Sequence, residues 1–186
     1  MTQREEPAEP LPVLEFGRLF DVHAQPLHRY LARRVGRDVA NDLVSETFLV
    51  ALNQRDSYDP ARGAVRSWLY GIATNLIHRH TRTEVRALRA HARSVARAAG
   101  AETGHDNRVA ARVDAAALAA QLARALAKLS EGDRDVLLLT SWAGLDSAEI
   151  AEALGIPVGT VRSRLHRVRR TLRATAPLAG KEDDHG

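Results

Sequence analysis

Residues 146–173 read DSAEIAEAL, then GIP, then VGTVRSRLHRVRRTLR: a short helix, a tight turn and a second helix. Asp146 can cap the first helix, and Glu149, three residues on, can return the bond to the cap. Gly155 suits the left-handed conformation that closes a helix, and Pro157 suits the first turn of the next. In the second helix Val158, Val161, Leu165, Val168 and Leu172 recur at steps of three and four and form one buried stripe. The opposite face carries Gly159, Ser163, His166, Arg167 and Arg170, flanked by Thr160, Arg162, Arg164, Arg169 and Arg173. No acidic residue interrupts it between Val158 and Ala174. A merely solvated helix mixes charge signs for internal ion pairs. A helix that stays basic over four turns, after a capped helix and a Gly/Pro turn, is built to meet phosphates and base edges.

Outward from that motif, the composition points to an all-α chain. Its 186 residues suffice for two small helical domains. Good helix formers dominate, aromatics make up 4%, and alternating β-branched runs are absent. There is no cysteine, which excludes disulfides, thiolate metal sites and thiol sensing within the chain. The net charge of +4 understates the local basic character, because acidic residues gather at the tails and in a few helices. No stretch is apolar for long enough to span a bilayer, no signal peptide is evident, and a cytoplasmic protein without membrane insertion is expected.

Towards the amino end, an acidic, proline-rich tail (1–12) precedes a helix from Leu14 to Val35, which Pro26 is expected to kink or split. A second helix from about Arg37 to Gln54 turns Leu43, Val44, Thr47, Phe48, Ala51 and Leu52 inward. Its outer face aligns Asp42, Ser45, Glu46, Leu49 and Asn53, an exposed leucine among polar groups. Asp59-Pro60 and Gly63 mark a loop. A third helix then buries Val65, Trp68, Leu69, Ile72, Ala73, Leu76 and Ile77 as far as about His80, placing Arg66, Asn75 and Arg79 toward solvent. These helices form a first domain, 13–83. Residues 84–112 read as a flexible linker whose first half can be helical. A second domain of four short helices, 113–176, includes a helix capped by Ser130 and ends in the helix-turn-helix; 177–186 is a tail.

With these motifs placed, the chain resembles the bacterial RNA polymerase sigma factors of the extracytoplasmic function type, in the sigma-70 superfamily. Asp42-Leu43-Val44-Ser45-Glu46-Thr47-Phe48-Leu49, then Asp59-Pro60 and Trp68-Leu69-Tyr70-Gly71-Ile72-Ala73-Thr74-Asn75, look like the family's region 2. Leu129 to Arg173 looks like its region 4. The resemblance implies an alternative sigma factor that binds core RNA polymerase through clamp and flap and directs initiation at specific promoters. Region 2 would open the minus-10 element and region 4 read the minus-35 element. It places polymerase contacts at Asp42, Leu43, Glu46, Phe48 and Leu49. Minus-10 contacts fall at Arg62, Arg66, Asn75 and Arg79, beside a base-capturing loop at 55–63, with Trp68 read as core. Minus-35 contacts fall at Thr160, Arg162, Ser163, Arg164, His166, Arg167 and Arg170. Arg162, Ser163, His166 and Arg167 are the base readers, because the amino-terminal half of a recognition helix lies deepest in the groove.

The family also implies an anti-sigma factor as a possible partner. The chain departs from the family pattern at Asn41, Ser45, Val65 and Gly71, where an acidic residue, a glutamine, an aromatic and a basic residue are usual. A stand-alone regulator would share the helix-turn-helix but leaves the first domain unexplained. Catalysis has no support: no triad or phosphate-cradling loop is present. His78 and His80 point about 200 degrees apart on a helix, so no metal or cofactor is expected. Two weakly coupled domains on one polymerase surface are the expected arrangement.

Overall fold

The computed structural model describes residues 12–61, 63–98 and 124–174. All regular structure among them is helical: α1 (Val13–Val35), α2 (Arg37–Asn53), a 3-10 turn (Arg55–Ser57), α3 (Val65–Ala98), α4 (Glu131–Ser141), α5 (Ser147–Leu154) and α6 (Val158–Arg173). Residues 124–127 are helical as well. No helix among the described residues is long and apolar enough to cross a membrane.

Of the two outcomes expected at Pro26, a kink or a split, the split does not occur: the helix runs unbroken for 23 residues. Proline forfeits one backbone hydrogen bond, but Leu27, Tyr30 and Leu31, all at most 1% exposed, anchor the turn that follows it. Gly36, at a φ of 85°, then turns the chain sharply into α2. Leu43, Val44, Thr47, Phe48 and Ala51 of α2 are buried against α1 and α3. Tyr30 meets Tyr70 edge-on at 5.3 Å, and its hydroxyl lies 3.2 Å from Thr74 Oγ1.

The third helix is much longer than its apolar stripe. It continues beyond His80 to Ala98, so the start of the expected linker is helical. From Thr81 to Leu88 every side chain is exposed, so the apolar stripe ends before the helix does.

In the carboxyl-terminal part Ser130 Oγ accepts the Asp133 amide at 3.1 Å and caps α4. Asp146 and Glu149 form the full capping box of α5. Gly155, at φ 62°, ends that helix in the left-handed conformation. Val161 and Val168 of α6 are buried, with Val158 and Leu165 packed beside them.

The two helical groups do not stand apart. One continuous core runs from Phe16 through Ile77 to Val136, Ile150 and Val161. The contact is centred on α3 against α5. A Cβ at Gly71 would collide with the backbone carbonyl of Ala153, so only glycine allows α3 to come so close. A basic side chain there, usual for the pattern described above, is incompatible with this packing. In this structure the two groups are joined through backbone approach and buried charge.

Candidate nucleic-acid interface

Each candidate surface rests on a helix whose buried stripe fixes its orientation. On α6 that stripe turns Arg162, Ser163, His166, Arg167 and Arg170 fully outward. Thr160 and Arg164 are half-buried. Ser163 Oγ donates to the Thr160 carbonyl at 2.9 Å. The Arg164 guanidinium lies in the space a Cβ at Gly132 would need, so Gly132 makes room for it over the start of α4. Arg167 Nε stands 3.6 Å from Oδ2 of Asp133, whose side chain is 6% exposed. Oδ1 of the same carboxylate is buried without a hydrogen-bond partner among the described residues. Asp133 thus tethers the stem of an otherwise exposed arginine.

On α2, Asp42 and Leu49 are exposed, Leu49 to 57%, and Glu46 is half-buried, 3.7 Å from Arg79 of α3. Leu43 and Phe48 are in the core, and Phe48 meets Phe20 with ring centroids 4.9 Å apart. They set the pitch of the face; Asp42, Glu46 and Leu49 form its surface.

The remaining candidates surround the start of α3. Arg62 lies outside the described residues, while Asn75 and Arg79 are exposed. Trp68 is partly buried against the core and stacks with Tyr58 at 5.0 Å. The Tyr58 hydroxyl donates to the Gly63 carbonyl at 3.1 Å, closing the 58–63 loop upon itself. Ser57, Tyr58, Asp59, Trp68 and Glu152 line a cavity of about 210 Å³ at this loop. Glu152 belongs to α5, so the helix-turn-helix supplies one wall. Burial, then the neighbouring Glu152 and Asp59 carboxylates, push the Tyr58 phenol above its usual pKa.

Arg66 is only partly turned to solvent, with 37% of its side chain exposed. It donates to Glu149 Oε1 at 3.3 Å and to the carbonyl of Ala143, both in the carboxyl-terminal part. Next to it His23, Arg29, Arg33, Tyr70 and Trp142 surround a cleft of about 510 Å³ whose lining holds no carboxylate. Burial, followed by the charge of Arg66, lowers the His23 pKa.

Sequence reasoning missed the residues that join the two groups, Arg34, His78 and Asp135, the role of Asp133 within the carboxyl-terminal group, and the outward role of Glu149 and Glu152. Arg34 Nη2 is 2.9 Å from Asp135 Oδ1, and His78 Nε2 is 2.9 Å from Asp135 Oδ2. A signal was present in α4, where Asp135 shares the face of Leu138, Leu139 and Trp142, an acid on an apolar stripe. A buried carboxylate on such a stripe needs a cation from elsewhere in the fold.

Comparison with known proteins finds two family models along the chain. Residues 19–87 match the family model described as Sigma-70 region 2, and residues 119–172 match Sigma-70, region 4. The chain is 35% identical over 163 residues to the ECF RNA polymerase sigma factor SigL of Mycobacterium tuberculosis, covering 87% of this chain and 89% of that one. It is 34% identical over 169 residues to the RNA polymerase sigma factor CnrH of Cupriavidus metallidurans, covering 86% and 85%. The solved structure of CnrH in complex with the cytosolic domain of CnrY is similar in fold. It has a TM-score of 0.58 and 28% identity over 88% of each chain.

Proposed function

The chain belongs to the sigma-70 family, among its extracytoplasmic function members, and from that premise we propose how its surfaces divide the work of an alternative sigma factor that directs promoter-specific transcription initiation. Asp42, Glu46 and Leu49 dock on core RNA polymerase, with Leu43 and Phe48 holding their helix in place. The start of α3, with Arg66, Asn75 and Arg79, and the 55–63 loop take the opened minus-10 strand. The outer face of α6 reads the minus-35 duplex.

The observation that carries this reading is the recognition helix. Five polar or cationic side chains, Arg162, Ser163, His166, Arg167 and Arg170, are exposed on one helix packed behind a capped helix and a left-handed glycine. Arginine in this setting binds guanine with two hydrogen bonds, worth about 1–3 kcal/mol of discrimination. Arg162 and Arg167 are placed for base edges, while Thr160, Arg164 and Arg170 suit phosphates. The protein acts in the cytoplasm, beside the polymerase, and assists without performing the chemistry. CnrH has been solved with the cytosolic domain of CnrY, and a partner seated on the same fold, an anti-sigma factor, is part of the proposal here.

Transcription by core RNA polymerase on a pool of promoter fragments, with and without the protein, tests the assignment. Defined new transcripts that share spaced upstream elements are expected. Silence together with failure to bind core enzyme would replace the sigma reading with a stand-alone regulator.

A further inference from the structure

The cleft beside Arg66 belongs neither to the polymerase-docking face of α2 nor to the recognition face of α6. Its volume of about 510 Å³ lies within the range of about 300–1,000 Å³ in which proteins hold small molecules. Arg29 and Arg33 line it from α1, Arg66 and Tyr70 from α3, and Trp142 from the end of α4. Residues four apart share one side of a helix, so each of the two pairs addresses the same space.

The charge of the cleft is uncompensated. No carboxylate lines it, and neither Arg29 nor Arg33, both exposed, has an acidic partner among the described residues. Arg66 already has Glu149 and the Ala143 carbonyl, so the free cations are the two on α1. The charge of Arg66 acts on both His23 and Tyr70, and that of Arg29 on Tyr70 as well. Tyr70 is 3% exposed, yet its hydroxyl has no hydrogen-bond partner among the described residues, which leaves a buried donor to spare. Trp142 is 38% exposed, with Arg33 over its ring at 5.6 Å, so a stacking surface and a free cation stand together.

We propose that this cleft binds a nucleoside di- or triphosphate, with the base on Trp142 and the phosphates on Arg29 and Arg33. Guanidinium groups take phosphate oxygens through paired, charge-assisted hydrogen bonds, and an aromatic face takes any base. A simple anion would leave the ring unused. A continuing strand needs one platform after another, whereas Trp142 is the single exposed ring of this cleft. The site stands independently of the DNA roles proposed above, since neither Arg29, Arg33 nor Trp142 has a part in them.

Titration calorimetry of the full chain with ATP, adenosine and tripolyphosphate, in EDTA, tests the site. One ATP should bind per chain, adenosine should not bind, and tripolyphosphate should bind at least fivefold more weakly than ATP. Arg29→Gln with Arg33→Gln should weaken ATP at least about tenfold, because hydrogen bonds between charged groups are lost. Arg169→Gln with Arg173→Gln makes the same charge change on exposed residues of α6 and should weaken it less than twofold. Trp142→Leu should weaken ATP severalfold and leave tripolyphosphate unchanged, a split that a merely structural role would not produce. Circular dichroism of each variant checks that the helices are intact. No ATP binding at millimolar concentration overturns the site. Equal loss in the two arginine pairs, or tripolyphosphate as tight as ATP, also overturns it and leaves only a general affinity of arginines for polyanions. A random single strand of about 12 nucleotides that displaces ATP and depends on Arg29 and Arg33 more strongly than ATP does would assign the cleft to DNA instead.

Discussion

Arg34 of α1 and Asp135 of α4 meet at 2.9 Å, 101 residues apart in sequence, in a contact almost closed to water. His78 of α3 approaches the other carboxylate oxygen at the same distance, so a single acid from the carboxyl-terminal part holds two helices of the amino-terminal part. Burial works against the charge on Arg34, but Tyr30 and Asp135 beside it outweigh that effect and raise its pKa. Stability is not the main yield of such a pair, since desolvating both ions offsets most of their attraction. What it specifies is how the two halves sit.

Replacing Asp135 by Asn leaves Arg34 buried without its counter-charge. In a fixed structure that costs about 3–5 kcal/mol, and the chain escapes part of it by letting the halves separate. We expect a lower first melting transition and, with dyes on Asn53→Cys and Lys128→Cys, a longer distance between the halves by energy transfer. The paired change Arg34→Met with Asp135→Leu should cost less than the single one. Calorimetry of both variants checks this.

Asp146→Ala removes the acceptor for the Ala148 and Glu149 amides, bonds of 2.7 and 2.9 Å. A lost cap of this kind costs about 1 kcal/mol. Gly155→Ala forces a β-carbon into the left-handed region, at about 1–2 kcal/mol. Urea unfolding of each variant should show those losses, with duplex affinity at low denaturant little changed.

Arg167→Ala should lose about 1–3 kcal/mol of discrimination at one upstream base pair, read by competition between duplexes differing at single positions. Equal weakening on every sequence would make Arg167 a phosphate contact. The same variant leaves Asp133 buried without its ion partner, so thermal stability should fall as well; Asp133→Asn combined with Arg167→Ala should recover part of it.

The lowered pKa of His23 has a definite consequence for pH dependence. Burial and Arg66 disfavour its protonated form, so the unfolded chain, titrating near 6.5, takes up the proton first. Stability therefore rises with pH across the interval between the folded value and 6.5, and is lost as pH falls through it. Unfolding free energies at pH 7.5 and 5.5 should differ less in His23→Asn than in wild type. An equal difference would remove His23 as a source of the slope.

Reversing charge with Asp42→Arg and Glu46→Arg should weaken retention by immobilised core polymerase at least tenfold, with helical content preserved. Both groups lie on the solvent side of α2, and a like-charge mismatch at an interface costs several kcal/mol. Retention as strong as wild type would move the docking face elsewhere.

The sequence alone determined the helical class, the helix-turn-helix and the exposed basic face of α6. These depend on local signals: apolar residues at steps of three and four, the Asp146 and Glu149 capping box, and a glycine where the backbone must turn left-handed. The exposed face of α6 followed directly, because the buried stripe of Val161 and Val168 leaves only one side free. The same logic correctly placed Asp42 and Leu49 outside and Leu43 and Phe48 inside.

Local signals left a kink or a split open at Pro26; the helix is not split, because the packing of Leu27, Tyr30 and Leu31 outweighs one missing hydrogen bond. They gave Arg66 no partner, because periodicity separates the inner from the outer side of a helix but not which outer residues a second group of helices meets. Only the tertiary structure decided that Arg66 meets Glu149, that Arg34 meets Asp135, and that Gly71 is the point of closest approach. Each joins residues tens of positions apart, or a helix to a backbone carbonyl. Such contacts arise from the shape of two packed surfaces, which no periodicity along a single helix encodes.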